Sequence, residues 1–366
     1  MLDFLKSKIY YKLILPMFLI YFLGFIVIYS TTKGLFENHL INFLIGLLIF
    51  CIFQYIDLKF LINKSFYLYF GVFILLLLIF AVGHTTLGAS RWLKVGELSL
   101  QPSEFAKISV ILILTKVLSN NKIWELKMPS FIGRSFFIKN RFIQALIVTT
   151  PLLFMVLIQP DLGTTISIFL LFVGLIYISN FEKKYFLLAL ILVGIFSNPL
   201  WNSLQDYQKE RVLIFLNPQS DPFGSGYNTI QAEIAVGSGG FWGKGYAKGT
   251  QTQLNFLPIF WTDFLVATYA EEWGFFGLIF FISLYFYLIF QIYSIFLNTK
   301  TVTNKFVSFG ILIYYSGQFL INFGMNIGLL PVTGIPIPLF SYGGTSLVSS
   351  MFLLGILNKI SLDKSQ

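Results

Sequence analysis

The chain has 366 residues, of which 56% are hydrophobic and 11% charged, with a net charge of +9 and a mean hydropathy of +0.78. Soluble domains carry about 25% charged residues, so a water-soluble fold is excluded and an integral membrane protein is implied. The lone cysteine, Cys51, excludes a disulfide framework, and the basic excess reads as topology and attraction to anionic lipid, not nucleic-acid binding.

A hydrocarbon core of about 30 Å takes about 20 apolar residues per helix, and only helices or closed barrels pair every backbone group there. Long unbroken apolar runs select helices. Spans are expected at 13–30, 40–56, 66–82, 102–118, 142–158, 163–179, 185–200, 274–296, 306–330 and 338–357. The first follows Lys6, Lys8 and Lys12 without a clear small-residue cleavage site, so it reads as a retained span. With the termini inside, 17 Lys and Arg fall in cytoplasmic segments and seven fall outside, which puts both termini in the cytoplasm. The fold class is therefore an all-α polytopic membrane protein, one domain over 1–366 with about ten transmembrane helices. A large ordered extracytoplasmic loop, 201–273, separates spans 7 and 8.

In chain order, the first outward segment of interest is 88-GASRWLKVGELSLQPSE-104, which places Arg91, Trp92 and Lys94 at the outer face. A Trp flanked by cations is ordinarily an interfacial anchor. On an outer surface poor in cations, however, Arg91, Lys94 and Arg211 are also candidates for gripping a phosphate. In 101-QPSEFAK-107, Pro102 suits the first turn of a helix and Ser103 a cap. Glu104 and Lys107 share one face. Such a pair is costly in hydrocarbon unless it is paired and faces the bundle interior or a wet cavity; the expectation is a pair lining an extracellular cavity, against an ion pair that only orients the helix. The turn 159-QPDLGTT-165 packs Asp161 between two spans, as a helix cap or a site residue.

Within the long loop, 227-YNTIQAEIAVG-237 reads as a short amphipathic helix and 237-GSGGFWGKG-245 as a glycine-rich turn needing positive φ. The loop's aromatics, Trp201, Phe223, Phe241, Trp242, Phe256, Phe260 and Trp261, argue against disorder. The stretch 260-FWTDFLVATYAEEWG-274 gathers Asp263, Glu271 and Glu272 at the mouth of the eighth span. Composition alone reads Asp263 as a cap or rim residue, and Glu271 and Glu272 as a supporting layer or a helix start. In the ninth span Gln318, Asn322 and Asn326 form a polar stripe that reads as interhelical glue, and Gly310, Gly317 and Gly324 permit close helix contact. His39 and His84 lie apart without paired-ligand spacing, so no dedicated zinc site is expected.

Together, 88-GASRWLKVGELSLQPSEFAK-107, 159-QPDLGTT-165, 211-RVLIFLNPQSDPFGSGYNTIQAEIAVGSGGFWGKG-245, 250-TQTQLNFLP-258, 262-TDFLVATYAEEWG-274 and 336-PIPLFSYGGTS-346 resemble the SEDS family of polytopic cell-wall glycosyltransferases, represented by RodA and FtsW. The loop phrase GTQTQLNFLP resembles the RodA branch. The resemblance implies polymerisation of lipid II, a disaccharide-pentapeptide on undecaprenyl pyrophosphate, into β-1,4 glycan strands at the outer face of the bacterial cytoplasmic membrane, for cell elongation and rod shape. It also implies a class B penicillin-binding protein transpeptidase as partner. Asp263 matches the family's essential acid, Glu104 and Lys107 its fourth-span pair, Trp92 its outer-loop tryptophan and Asp161 the acid of its QPDLG turn. Catalytic roles are therefore expected for Asp263, Glu104 and Lys107, and substrate binding for Arg91, Trp92, Lys94, Asp161 and Arg211. A divalent cation, Mg or Mn, at Asp263 is admitted by this resemblance but not required. One departure stands out: Ile259 and Trp261 occupy positions where the family commonly has an acid and a histidine. The rivals are a lipid II flippase and a non-enzymatic scaffold; the outward clustering of polar groups argues against a flippase, which places them at both faces or mid-membrane.

Overall fold

A computed structural model of the chain describes residues 10–86, 89–95, 98–119, 140–179, 206–224 and 226–362. Its helices, in chain order, are α1 (Tyr11–Thr31), α2 (Lys33–Phe53), α3 (Leu58–Val82), α4 (Pro102–Ser119), α5 (Arg141–Ile158), α6 (Leu162–Ile178), α7 (Asp206–Leu216), α8 (Tyr227–Ser238), α9 (Thr250–Gln253), α10 (Leu265–Asn298), α11 (Val302–Asn326) and α12 (Gly344–Leu362). Seven of these, α1, α2, α3, α5, α10, α11 and α12, are long and apolar enough to cross a membrane. Helix α4 reaches 18 residues with three charges, and α6 is apolar over 17. At 1.5 Å per residue, 17 residues still span about 26 Å. Nine of the ten expected spans thus have a helix among the described residues; the seventh, 185–200, lies outside them.

Helix α4 occupies the centre of the bundle. It contacts α3, α5, α6, α11 and α12, and buries residues on every face from Pro102 to Leu118. That is why its charges are tolerable: α4 turns almost no surface to lipid. By contrast, α2 and α3 leave most of their length exposed, with Leu48, Phe60 and Tyr67 among their outward side chains. Cys51 is likewise exposed. The glycines of α11 are consumed inside the bundle. A Cβ on Gly310 would lie 2.9 Å from Ile111 of α4, and one on Gly324 would lie 2.8 Å from Leu330. These two glycines serve packing within the chain.

Two differences from the sequence expectation bear on the site. First, three strands, β1 (His84–Thr86), β2 (Ala89–Val95) and β3 (Leu98–Leu100), pair antiparallel in the order β1-β2-β3. The sheet rests on α3, α4 and α12. Second, α10 begins at Leu265, within the expected loop, and is broken at Gly274, where φ is 66° and ψ −164°. The break divides a short segment, 265–273, from the long span 275–298. Only glycine fits there: a Cβ on Gly274 would sit 2.2 Å from the Gly243 nitrogen. The glycine-rich turn supplies the other half of this close approach, with Gly240, Gly243 and Gly245 at φ of 55°, 79° and 99°, as the sequence suggested. Helix α8 matches the expected amphipathic segment.

Candidate active site

Asp263 is presented by a tight turn immediately before α10. The Ile259 carbonyl accepts the Thr262 and Asp263 amides, both at 3.3 Å, with Ile259 at φ 52°. That conformation is an outlier for a β-branched residue, and such outliers concentrate at functional positions. Two buried asparagines of α11 then fix the turn. Asn322 Nδ2 donates to the Asp263 carbonyl at 3.0 Å and to the Ile335 carbonyl at 2.6 Å, while Asn326 Nδ2 donates to the same Asp263 carbonyl at 2.9 Å. Asn326 Oδ1 in turn accepts the Ala267 amide at 3.0 Å. Both lone pairs of the Asp263 carbonyl are therefore used, and the first turn of α10 is tied to α11. Two members of the sequence stripe on α11, Asn322 and Asn326, are interhelical glue, and what they hold is the turn that carries Asp263.

The carboxylate itself is half-buried and faces the backbone of Gly334, where an added Cβ would lie 3.4 Å from Oδ2. Burial pushes Asp263 up to about 6; a hydrogen bond with Thr262 and the charges of Arg211 and Arg91 pull it down, and Asp161 adds a smaller upward push. Arg211, from α7, donates to the Val332 carbonyl at 3.0 Å, two residues from Gly334. Arg91, from β2, donates to the carbonyls of Gln159, at 3.2 Å, and Pro160. Two arginines from separate elements, β2 and α7, thus reach the field of one desolvated carboxylate.

Asp161 is buried and fully engaged. Its Oδ1 accepts the Thr164 amide at 3.1 Å, capping α6, and its Oδ2 accepts from Gln101 Nε2 at 3.2 Å and Ser103 Oγ at 3.0 Å. Ser103, read from sequence as a cap, instead braces this turn from inside α4. The segment 336–346 closes the ring of contacts: the Tyr342 amide donates to the Trp261 carbonyl at 3.0 Å, and Thr345 Oγ1 accepts the Gln101 amide at 3.1 Å.

Other expected site residues fall elsewhere. The Glu104–Lys107 pair is closed at 2.8 Å with side-chain exposures of 2% and 0%. Lys107 Nζ lies 5.2 Å from the centre of the Tyr314 ring. The expected cavity-lining placement is therefore corrected: the pair is sealed in the bundle because α4 is its central helix. Strand alternation sends Trp92 and Lys94 to the face of β2 opposite Arg91; Trp92 is half-buried and Lys94 exposed. Glu271 and Glu272 do not start a helix but end the short segment before Gly274. Glu271 Oε1 accepts from Lys244 Nζ at 2.6 Å, Thr250 Oγ1 at 3.1 Å and the Gln251 amide at 3.0 Å. Glu272 Oε1 accepts from Ser30 Oγ at 2.7 Å. These two acids hold the long loop onto α10 and α1.

Among the described residues no three His, Cys, Asp or Glu side chains gather as metal ligands. The carboxylate whose charge acts on Asp263, that of Asp161, has both oxygens occupied by hydrogen-bond donors. The described residues do not fit a resident divalent ion. Arginine is the positive charge this site supplies.

The family described as cell cycle protein, FtsW/RodA/SpoVE, matches residues 9–366. The peptidoglycan glycosyltransferase MrdB of Escherichia coli K12 is 37% identical over 328 residues, covering 89% of this chain and 85% of that protein. MrdB of Helicobacter pylori J99 is 34% identical over 342 residues, 92% and 86% of the two chains. Among solved structures, a chain from a peptidoglycan synthase complex that coordinates polymerisation and crosslinking superposes with a TM-score of 0.81 at 26% identity, covering 98% of this chain and 99% of that one. The Thermus thermophilus rod shape determining protein RodA superposes at 0.70 and 25% identity, covering 98% of each chain.

Proposed function

Because the chain belongs to the FtsW/RodA/SpoVE family and is a multi-pass peptidoglycan glycosyltransferase of cell elongation, we propose that it polymerises lipid II at the outer face of the bacterial cytoplasmic membrane, with Asp263 as general base. The observation that carries this reading is a half-buried carboxylate, raised to about 6, held by its main chain and placed in the field of two arginines. Asp263 takes the proton of the acceptor sugar's 4-hydroxyl. The freed oxygen attacks the anomeric carbon of the growing strand, the bond from that carbon to pyrophosphate breaks, and undecaprenyl pyrophosphate departs with both bonding electrons. Pyrophosphate leaves without the protonation that a sugar leaving group needs. Arg211 and Arg91 supply the positive field for the charge that develops on it. Lys94 and Trp92 form the outer rim. Asp161 positions Arg91 by shaping the turn whose carbonyls that guanidinium grips, and Glu104 and Lys107 brace α4 beneath it.

A class B penicillin-binding protein transpeptidase is the proposed partner, in keeping with the synthase complex to which a structural neighbour belongs. The test is incubation of the purified protein, alone and with that partner, with labelled lipid II, resolving products on a glycan-strand gel. Strands are expected. Their absence from folded protein with the partner present, together with translocation of fluorescent lipid II across liposomes, would replace polymerisation by lipid transport.

A further inference from the structure

We propose that the glycine-rich turn between α8 and α9 is a membrane-inserted wedge, with Phe241 and Trp242 seated at the hydrocarbon boundary of the outer leaflet. The turn is fastened by its main chain to the first turn of the long span after the break in α10. The Phe275 amide donates to the Gly240 carbonyl at 2.9 Å, and the Phe276 amide to the Phe241 carbonyl at 3.2 Å. Phe241 and Trp242 therefore lie at the depth at which that span begins. Their rings continue the aromatic surface of the span: Phe241 meets Phe275 edge-on at 5.9 Å, and Trp242 lies 4.8 Å from Phe276. All four point outward, with Phe241 67% and Trp242 81% exposed.

What covers Phe275 and Phe276 on a membrane-spanning helix is lipid, and the same lipid must cover rings in contact with them. Leaving a contiguous patch of four aromatics in water is unfavourable, and Trp is enriched at the level of the headgroups. The turn is also too tightly built to retract. Gly243 and Gly274 approach so closely that a Cβ on either would lie 2.2 Å from main-chain atoms of the other segment. Behind the wedge, Lys244 donates to the Glu271 carbonyl at 2.9 Å through its amide and to Glu271 Oε1 at 2.6 Å through Nζ. Glu271 belongs to the short helical segment that starts two residues after Asp263. The wedge therefore fixes the height of that segment, and with it the Asp263 turn, relative to the lipid surface. The partner it fits is the interface of the bilayer, not a protein surface.

Depth can be read directly with a polarity-sensitive NBD fluorophore on Trp242→Cys, in a Cys51→Ser background, reconstituted in nanodiscs of phosphatidylcholine and phosphatidylglycerol with or without brominated acyl chains. Ser220→Cys, on the exposed 3-10 turn Pro218–Ser220, is the reference in water. The label at 242 is expected to be blue-shifted and to lose most of its emission to brominated lipid, whereas the label at 220 does neither. A label at 242 that behaves like the one at 220 overturns the wedge, and so does protection that appears only when a partner protein is added. Phe241→Cys repeats the measurement should Trp242→Cys fail to fold. None of these outcomes depends on whether Asp263 is the base, because no turnover is read.

Discussion

Asp263→Asn is expected to lower the polymerisation rate by roughly 10²–10⁴-fold, the usual worth of a general base, with the protein still folded. Asparagine keeps the size and a hydrogen-bonding group beside Thr262 but cannot accept the acceptor hydroxyl's proton. The stability sign is specific. A carboxyl whose folded pKa of about 6 lies above its ordinary 3.8 costs the fold nothing while protonated in both states, at pH below 3.8. Its ionised form disfavours folding increasingly as pH rises towards 6, fully so above it. Removing that charge therefore leaves melting at neutral pH unchanged or raises it. The pattern to look for in parallel activity and thermal-shift measurements is a dead enzyme that melts no earlier than the wild type. An early-melting variant would make the lost activity a folding defect.

Lys107→Met is the second large effect, and it falls on stability. Removing the ammonium leaves the carboxylate of Glu104, already short of a partner at Oε2, buried at the centre of the bundle. Breaking a buried pair in this way costs about 3–5 kcal/mol, whereas replacing both members is often neutral. The single variant should melt well below the wild type, and Glu104→Gln combined with Lys107→Met should recover most of the loss. Polymerisation should recover with the fold, because both side chains are paired with each other and buried within the bundle. A double variant that melts normally yet makes no strands would return Glu104 and Lys107 to the chemistry.

The spans were legible because hydrocarbon thickness enforces long apolar runs. α1 and α5, for example, begin and end within two residues of expectation. Asp161 was legible as a cap because an acid just before an apolar helix has few other uses, and the glycine-rich turn because only glycine tolerates its φ values. The break in α10 was not. The run 265-LVATYAEEW-273 places two acids where a span would begin, and their side-chain partners, the ammonium of Lys244 and the hydroxyl of Ser30, lie 27 and 242 residues away. Nor could the sequence show that α4 is central, since the pair Glu104 and Lys107 fits a helix facing a wet cavity as well as one enclosed on every side. Asn322 and Asn326 were visible as a stripe, but their hold on a carbonyl 59 and 63 residues earlier is a tertiary fact. The available hint was position: a pair of amides near the outer end of one span, at the level of an acid at the outer end of another.

The central claim, that Asp263 takes the proton, is tested most directly by the pH dependence of polymerisation under subsaturating lipid II. With a base titrating at about 6, the rate should rise about tenfold per pH unit below that value and level off above it, because only the ionised carboxylate accepts a proton. In Asp263→Asn this acid limb should vanish along with most of the rate. A profile that is flat through pH 6 in the folded wild type, or an acid limb that survives in Asp263→Asn, would contradict the assignment.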